Sequence, residues 1–142
     1  MDEIELDVSL VFYCELSATK DDLVEALNVD PDYVYVLDPP RLRPRRTMDE
    51  VNVYIMYSPL GRGVHSLAKH VDMLVSLVSE LNATKLSRVA SLGMRLSVGL
   101  FTENRFGSLS LDNGALRRIT ELLPDADIDL CFYGSVDGYF DS

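Results

Sequence analysis

Cysteine is scarce: Cys14 and Cys131 are the only two in 142 residues. That is too few for a disulfide framework or a four-cysteine zinc site, and it suits a reducing compartment. Histidine is equally scarce, and His65 and His70 stand five positions apart, a rotation of about 140° on a helix. That spacing predicts no shared face and no shared metal site; His65 and Lys69, at i and i+4, read as a polar outer face, with the histidines solvated or locally hydrogen-bonded. Basic residues are few, 13 Lys and Arg against 23 Asp and Glu for a net charge of -10. Such a surplus disfavours nucleic acid and anionic membranes and suits a basic partner. No apolar run approaches the roughly 18 residues of a membrane span. The opening Met1-Asp2-Glu3-Ile4-Glu5 is acidic where a signal peptide is basic, so the expected location is the cytoplasm. Complete catalytic motifs are missing too. Gly61-Arg62-Gly63 lacks the Lys and Ser or Thr of a phosphate loop, so it reads as a turn, and no calcium-loop pattern occurs. The sequence therefore implies no metal and no cofactor.

What is present is the balance of one ordinary domain over residues 1–142, with 47% hydrophobic and 25% charged residues and a loosely held acidic tail at 134–142. Ile4, Leu6, Val8, Leu10, Phe12 and Cys14 alternate with polar positions, which predicts a half-buried strand with Cys14 in the core. Thr19 caps a short helix with Asp21 and Asp22 in its first turn. Residues 33–37 read as a short strand, the proline-rich stretch 38–50 as a loop, and 51–57 as a strand again. The longest helix follows, with Val64, Leu67, Ala68, Val71, Leu74, Val75, Val78 and Leu81 at helical spacing. Thr84 restarts it, and Gly93 ends it. Met94 to Leu100 alternates as a strand, 108–111 returns as a short one, Asp112 caps a last helix, and Ile128, Leu130 and Phe132 mark a last strand. This order predicts an α+β two-layer sandwich: a mainly antiparallel sheet, polar on one face, with helices on the other.

Several stretches carry a family resemblance. The first helix ends Ala26-Leu27-Asn28-Val29-Asp30-Pro31, and Arg45-Arg46-Thr47 precedes a strand ahead of the long middle helix. The closing run from Arg95 to Phe132 contains Phe106-Gly107-Ser108-Leu109-Ser110-Leu111 and Asp127-Ile128-Asp129. On these features the chain from Val8 through Tyr133 resembles the bacterial domain-of-unknown-function family 4279. The resemblance implies a small bacterial cytoplasmic protein, similar to the immunity proteins that neutralise secreted toxins, and it supplies no site residues.

The candidate site comes from the residues themselves. Glu5 and Asp7 share one strand face with Glu3, and Asp127 and Asp129 share one with Asp125. Alternating carboxylates of this kind keep an edge or face soluble, and they also steer a basic protein. The reading adopted is a non-catalytic, immunity-type protein that occludes a basic toxin domain, steered by Glu5, Asp7, Asp127 and Asp129 and anchored by Tyr54 and Tyr133. The alternative is a sensor or enzyme for a small anionic ligand held by Arg41, Arg43, Arg45 and Arg46. Against it, those arginines equally offset the acidic sheet. A third reading is a homo-oligomer paired through strand edges.

Overall fold

The computed structural model describes residues 4–37, 51–101 and 113–132. Its longest strand, β1 (Glu5–Glu15), is the centre of the sheet. Leu6, Val8, Leu10, Phe12 and Cys14 all point to one side, where each is at most 1% exposed. Burial pushes the Cys14 thiol up to about 11, as expected of a small core residue.

Helix α1 (Lys20–Leu27) begins where the sequence expects. The Thr19 hydroxyl accepts from the Asp22 amide at 3.2 Å, and the Asp22 carboxylate accepts from the Thr19 amide at 2.9 Å. These two bonds satisfy donors that the first turn leaves orphaned, and the Thr19 amide, with its hydroxyl beside it, holds the Asp22 carboxyl below its ordinary range. Asn28 ends the helix in the left-handed conformation with φ 55°. A single 3-10 turn, Pro31–Tyr33, leads to β2 (Tyr35–Val36), and β3 (Val51–Tyr57) follows.

Helix α2 (Leu67–Leu77) is shorter than its apolar repeat. Ser66 is the N-cap, its hydroxyl accepting from Lys69 N at 3.1 Å, and Val64 lies before the helix and is exposed. Helix α3 (Ala83–Val89) starts on Asn82 rather than Thr84, since the Asn82 side chain accepts from Lys85 N at 3.0 Å. β4 (Gly93–Phe101), α4 (Asn113–Leu122) and β5 (Ala126–Phe132) complete the order.

The sheet runs β2-β3-β1-β4-β5. The β2–β3, β3–β1 and β1–β4 pairs are antiparallel, and β4–β5 is parallel. A parallel pair needs a crossover, and the segment that contains α4 supplies it. The expected two-layer α+β architecture is thus present, with one parallel edge. All four helices contribute to one core on the side of Leu10 and Phe12, α1 lying by α3 and α2 by α4. Lys85 pairs with Glu25 at 2.6 Å and Arg118 with Asp72 at 2.7 Å across these helix pairs.

Candidate functional site

Every described helix lies on one side of the sheet; on the other side Ser9, Val11, Val53 and Ile55 are buried, while Tyr35 and Tyr57 are exposed. The composition of that other side follows from register. Ser9 lies between Tyr57 and Ser97, and Ser97 faces Asp129. In the next row Tyr35, Ile55, Val11, Arg95 and Asp127 run side by side. Asp7 faces Gly99, which faces Cys131, and Glu5 faces Phe101. Glu5, Asp7, Asp127 and Asp129 therefore do share a face, as their alternation predicts. β4 divides them, so the two acidic groups stand two strand spacings apart across the sheet, roughly 10 Å, and are also offset along it, since Asp7 is level with Cys131 and Asp127 with Val11.

This outer face is not uniformly polar. Val11, Val53 and Ile55 form a second, smaller apolar cluster with Tyr13, Leu37 and Val51 packed against it. Tyr35 and Tyr57 meet edge to face with centroids 5.6 Å apart and are 53% and 42% exposed. The face thus has an apolar, aromatic half over β2, β3 and the end of β1, and an acidic half over the start of β1 and over β5. Arg95 marks the seam: its guanidinium lies 5.6 Å from the Tyr13 ring centre and 3.6 Å from the Asp129 carboxylate. Arg62 makes a parallel arrangement, 3.7 Å over the Phe101 ring and 3.5 Å from Glu5. The Cys131 thiol donates to Asp129 at 3.6 Å. These pairs are exposed and screened, so they orient carboxylates more than they stabilise the fold.

Tyr54 requires a correction, because the register that sets it opposite Phe12 turns it to the helix side. It is 4% exposed and belongs to the main core. Its hydroxyl donates to Ala18 O at 2.9 Å, and Asn52 Nδ2 donates to Leu16 O and Ala18 O at 3.2 and 3.1 Å. Together they fasten the turn between β1 and α1. Burial, with Cys14 and Asp22 nearby, raises the Tyr54 phenol pKa. The aromatic anchors that the outer face does offer are Tyr35 and Tyr57. Their signal lay in the parity of Tyr57 with Val53 and Ile55. Tyr133 and the arginines Arg41, Arg43, Arg45 and Arg46 lie outside the described residues.

The histidines also depart from expectation. His70 is fully buried on the core side of α2, and His65 precedes that helix, folding back so that the two rings meet edge to face at 5.9 Å. His70 Nδ1 is 2.7 Å from Ser58 Oγ, the spacing of a nucleophile and its base. Ser58 is itself buried and its hydroxyl accepts from Leu60 N at 3.3 Å, so the pair offers a substrate no approach. Its visible work is structural: Ser58 N donates to Val8 O, and Gly61, at φ +66°, closes the turn by donating to Ser58 O.

On the helix side an open groove runs between α3 and the end of α4, lined by Leu81, Leu86, Met94 and Leu122 with Arg88 and Asp125 at its margins. One charge of each sign and walls drawn from the core give it no convergent set of polar groups. Among the described residues no three His, Cys, Asp or Glu side chains gather as metal ligands, and no helix is long and apolar enough to cross a membrane. No family model, curated protein or solved structure matches the chain.

Proposed function

We propose that the chain is a non-catalytic binding protein of the immunity type, acting in the bacterial cytoplasm, whose outer sheet face occludes a basic protein such as a toxin domain. The observation that carries this reading is the exposed Tyr35–Tyr57 pair on an apolar floor, on the same sheet face as the carboxylates of Glu5, Asp7, Asp127 and Asp129. Rigid aromatic side chains over a packed floor bind at low entropic cost and anchor an interface. Carboxylates around them raise the encounter rate with a cationic surface and set its orientation. The immunity-type part of this reading rests on the sequence resemblance to family 4279.

The test is kinetic. The tagged chain captures its partner from a lysate of its own organism, and association is then measured with the purified pair. The reading expects a basic partner whose association rate falls at least about tenfold for the double charge reversal Asp127→Lys/Asp129→Lys, with dissociation much less affected. Tyr35→Ala is expected to act the other way, on dissociation. An acidic partner, or association untouched by the charge reversal, rejects the reading.

A further inference from the structure

The outer sheet face handles its own cations in one recurring way. Arg62 lies 3.7 Å over the Phe101 ring and 3.5 Å from Glu5, and Arg95 lies 5.6 Å from the Tyr13 ring centre and 3.6 Å from Asp129. Each guanidinium thus rests on an aromatic ring with a carboxylate beside it. Register explains the second case: Arg95 faces Val11 on one side and Asp127 on the other, and Tyr13 and Asp129 each stand two residues along from those positions, so both partners are diagonal neighbours. The same face carries a third ring and carboxylate in diagonal positions. Tyr57 faces Ser9, and Asp7 stands two residues along β1 from Ser9, a diagonal that spans about 7–8 Å. Tyr57 is 42% exposed, with Tyr35 edge to face against it at 5.6 Å. Among the described residues no cation lies over the Tyr57 ring, and Asp7 makes no ion pair.

We propose that Tyr57 and Asp7 form the seat for an arginine side chain of the partner: the guanidinium lies against the Tyr57 ring while its forked N–H groups donate to the Asp7 carboxylate. The inference rests on the basic partner proposed above, and adds which side chain of that partner is read and where. Arginine fits such a seat better than lysine. A flat, weakly hydrated guanidinium stacks on a ring and still points donors at a carboxylate in its own plane, whereas an ammonium is a compact, strongly hydrated charge. An exposed ring alone attracts a cation weakly, and an exposed carboxylate alone does little more; the diagonal places the two so that one guanidinium meets both. A second copy of the chain is a poor occupant, since Arg62 and Arg95 are already engaged in this way and two molecules of net charge -10 repel.

A blocked Gly-Arg-Gly peptide, titrated into the full chain and followed by NMR shifts of the tyrosine rings and backbone amides, tests the seat. The expected result is saturable movement of the Tyr57 ring and Asp7 signals, with binding weakened at least about threefold by Tyr57→Leu and by Asp7→Asn, kept by Tyr57→Phe, and at least about threefold weaker for a Gly-Lys-Gly peptide. Tyr57→Phe preserves the ring and Asp7→Asn the side-chain shape, so the outcome stands even where Tyr57→Leu fails to fold. A lysine peptide bound equally well would reduce the site to charge and overturn the assignment to arginine. Arginine-peptide binding that leaves the Tyr57 ring unmoved and survives Asp7→Asn, but is lost in Asp127→Lys/Asp129→Lys, would overturn the seat while leaving the basic-partner reading intact. No saturable shift at millimolar arginine peptide would likewise overturn the seat and leave the wider reading to its kinetic test. A Gly-Glu-Gly peptide bound as tightly as the arginine peptide would overturn the basic-partner reading, and the seat with it.

Discussion

His70 shows how one residue couples the core to pH. Its imidazole is fully buried, with Nδ1 on Ser58 Oγ and Nε2 without a hydrogen-bond partner among the described residues. The protonated ring carries an N–H at both nitrogens, and the one at Nε2 then has nothing to accept it. Burial, and to a smaller extent His65, lower the His70 pKa from its ordinary 6.5, against an opposing pull from Asp7. The unfolded chain then binds a proton that the folded chain refuses. Stability from this group is whole above pH 6.5 and is lost as pH falls from there through the folded pKa. The unfolding free energy of the wild type, from urea titrations, should fall across that window by up to about 1.4 kcal/mol per pH unit, and that of His70→Gln should fall measurably less. A second residue-scale outcome concerns Tyr54. Tyr54→Phe removes the bond to Ala18 O, which should cost about 1 kcal/mol of stability and leave partner affinity unchanged, as measured by denaturation and binding of the same sample. Of these two positions, only His70 was legible in the sequence. His70 lies at +3 from Leu67 and -4 from Leu74, so the helical repeat itself assigns it to the buried stripe. Tyr54 was not legible, because Val53 and Ile55 on one parity of β3 are as apolar as Tyr54 and Met56 on the other, and alternation cannot orient a strand buried on both faces.

At the scale of elements, local chemistry predicted most starts and stops, and tertiary contact decided the rest. The Thr19 cap with Asp21 and Asp22 is readable because the capping box is written in adjacent residues. The ends of α2 were not, because Val64 and Val78 carry the apolar spacing past the helix that Ser66 and the turn at Val78 delimit. Asn82 and Thr84 are both acceptable caps by residue type. Asn82 is selected because its own amide donates to Ala26 O at 2.8 Å, fixing it against α1 while its side chain caps α3. Asn82→Ala should therefore lower stability by about 1 kcal/mol and Thr84→Ala by much less, a contrast that thermal or urea unfolding of the two variants resolves. β5 illustrates the converse limit. Its alternation marks a strand, but direction and edge position depend on the crossover and on how far the helices reach, neither of which a local pattern encodes.

Over the whole molecule, the -10 charge acts on folding and on binding with opposite signs, and salt separates the two. Like charges held in a compact body repel one another, so screening them favours the folded state. The exposed pairs Arg62–Glu5, Lys85–Glu25, Arg95–Asp129 and Arg118–Asp72 lose little on screening, since each is solvated. The same screening removes the long-range attraction that brings a basic partner to Glu5, Asp7, Asp127 and Asp129. Raising sodium chloride from about 10 mM to 150 mM shortens the screening length from about 30 Å to about 8 Å. Across that change the melting temperature of the free chain should rise while its association rate with the partner falls. An acidic surface kept only for solubility accounts for the first trend and not the second. In the charge-reversed Asp127→Lys/Asp129→Lys chain the surplus is smaller and the steering weaker, so both salt slopes should flatten together.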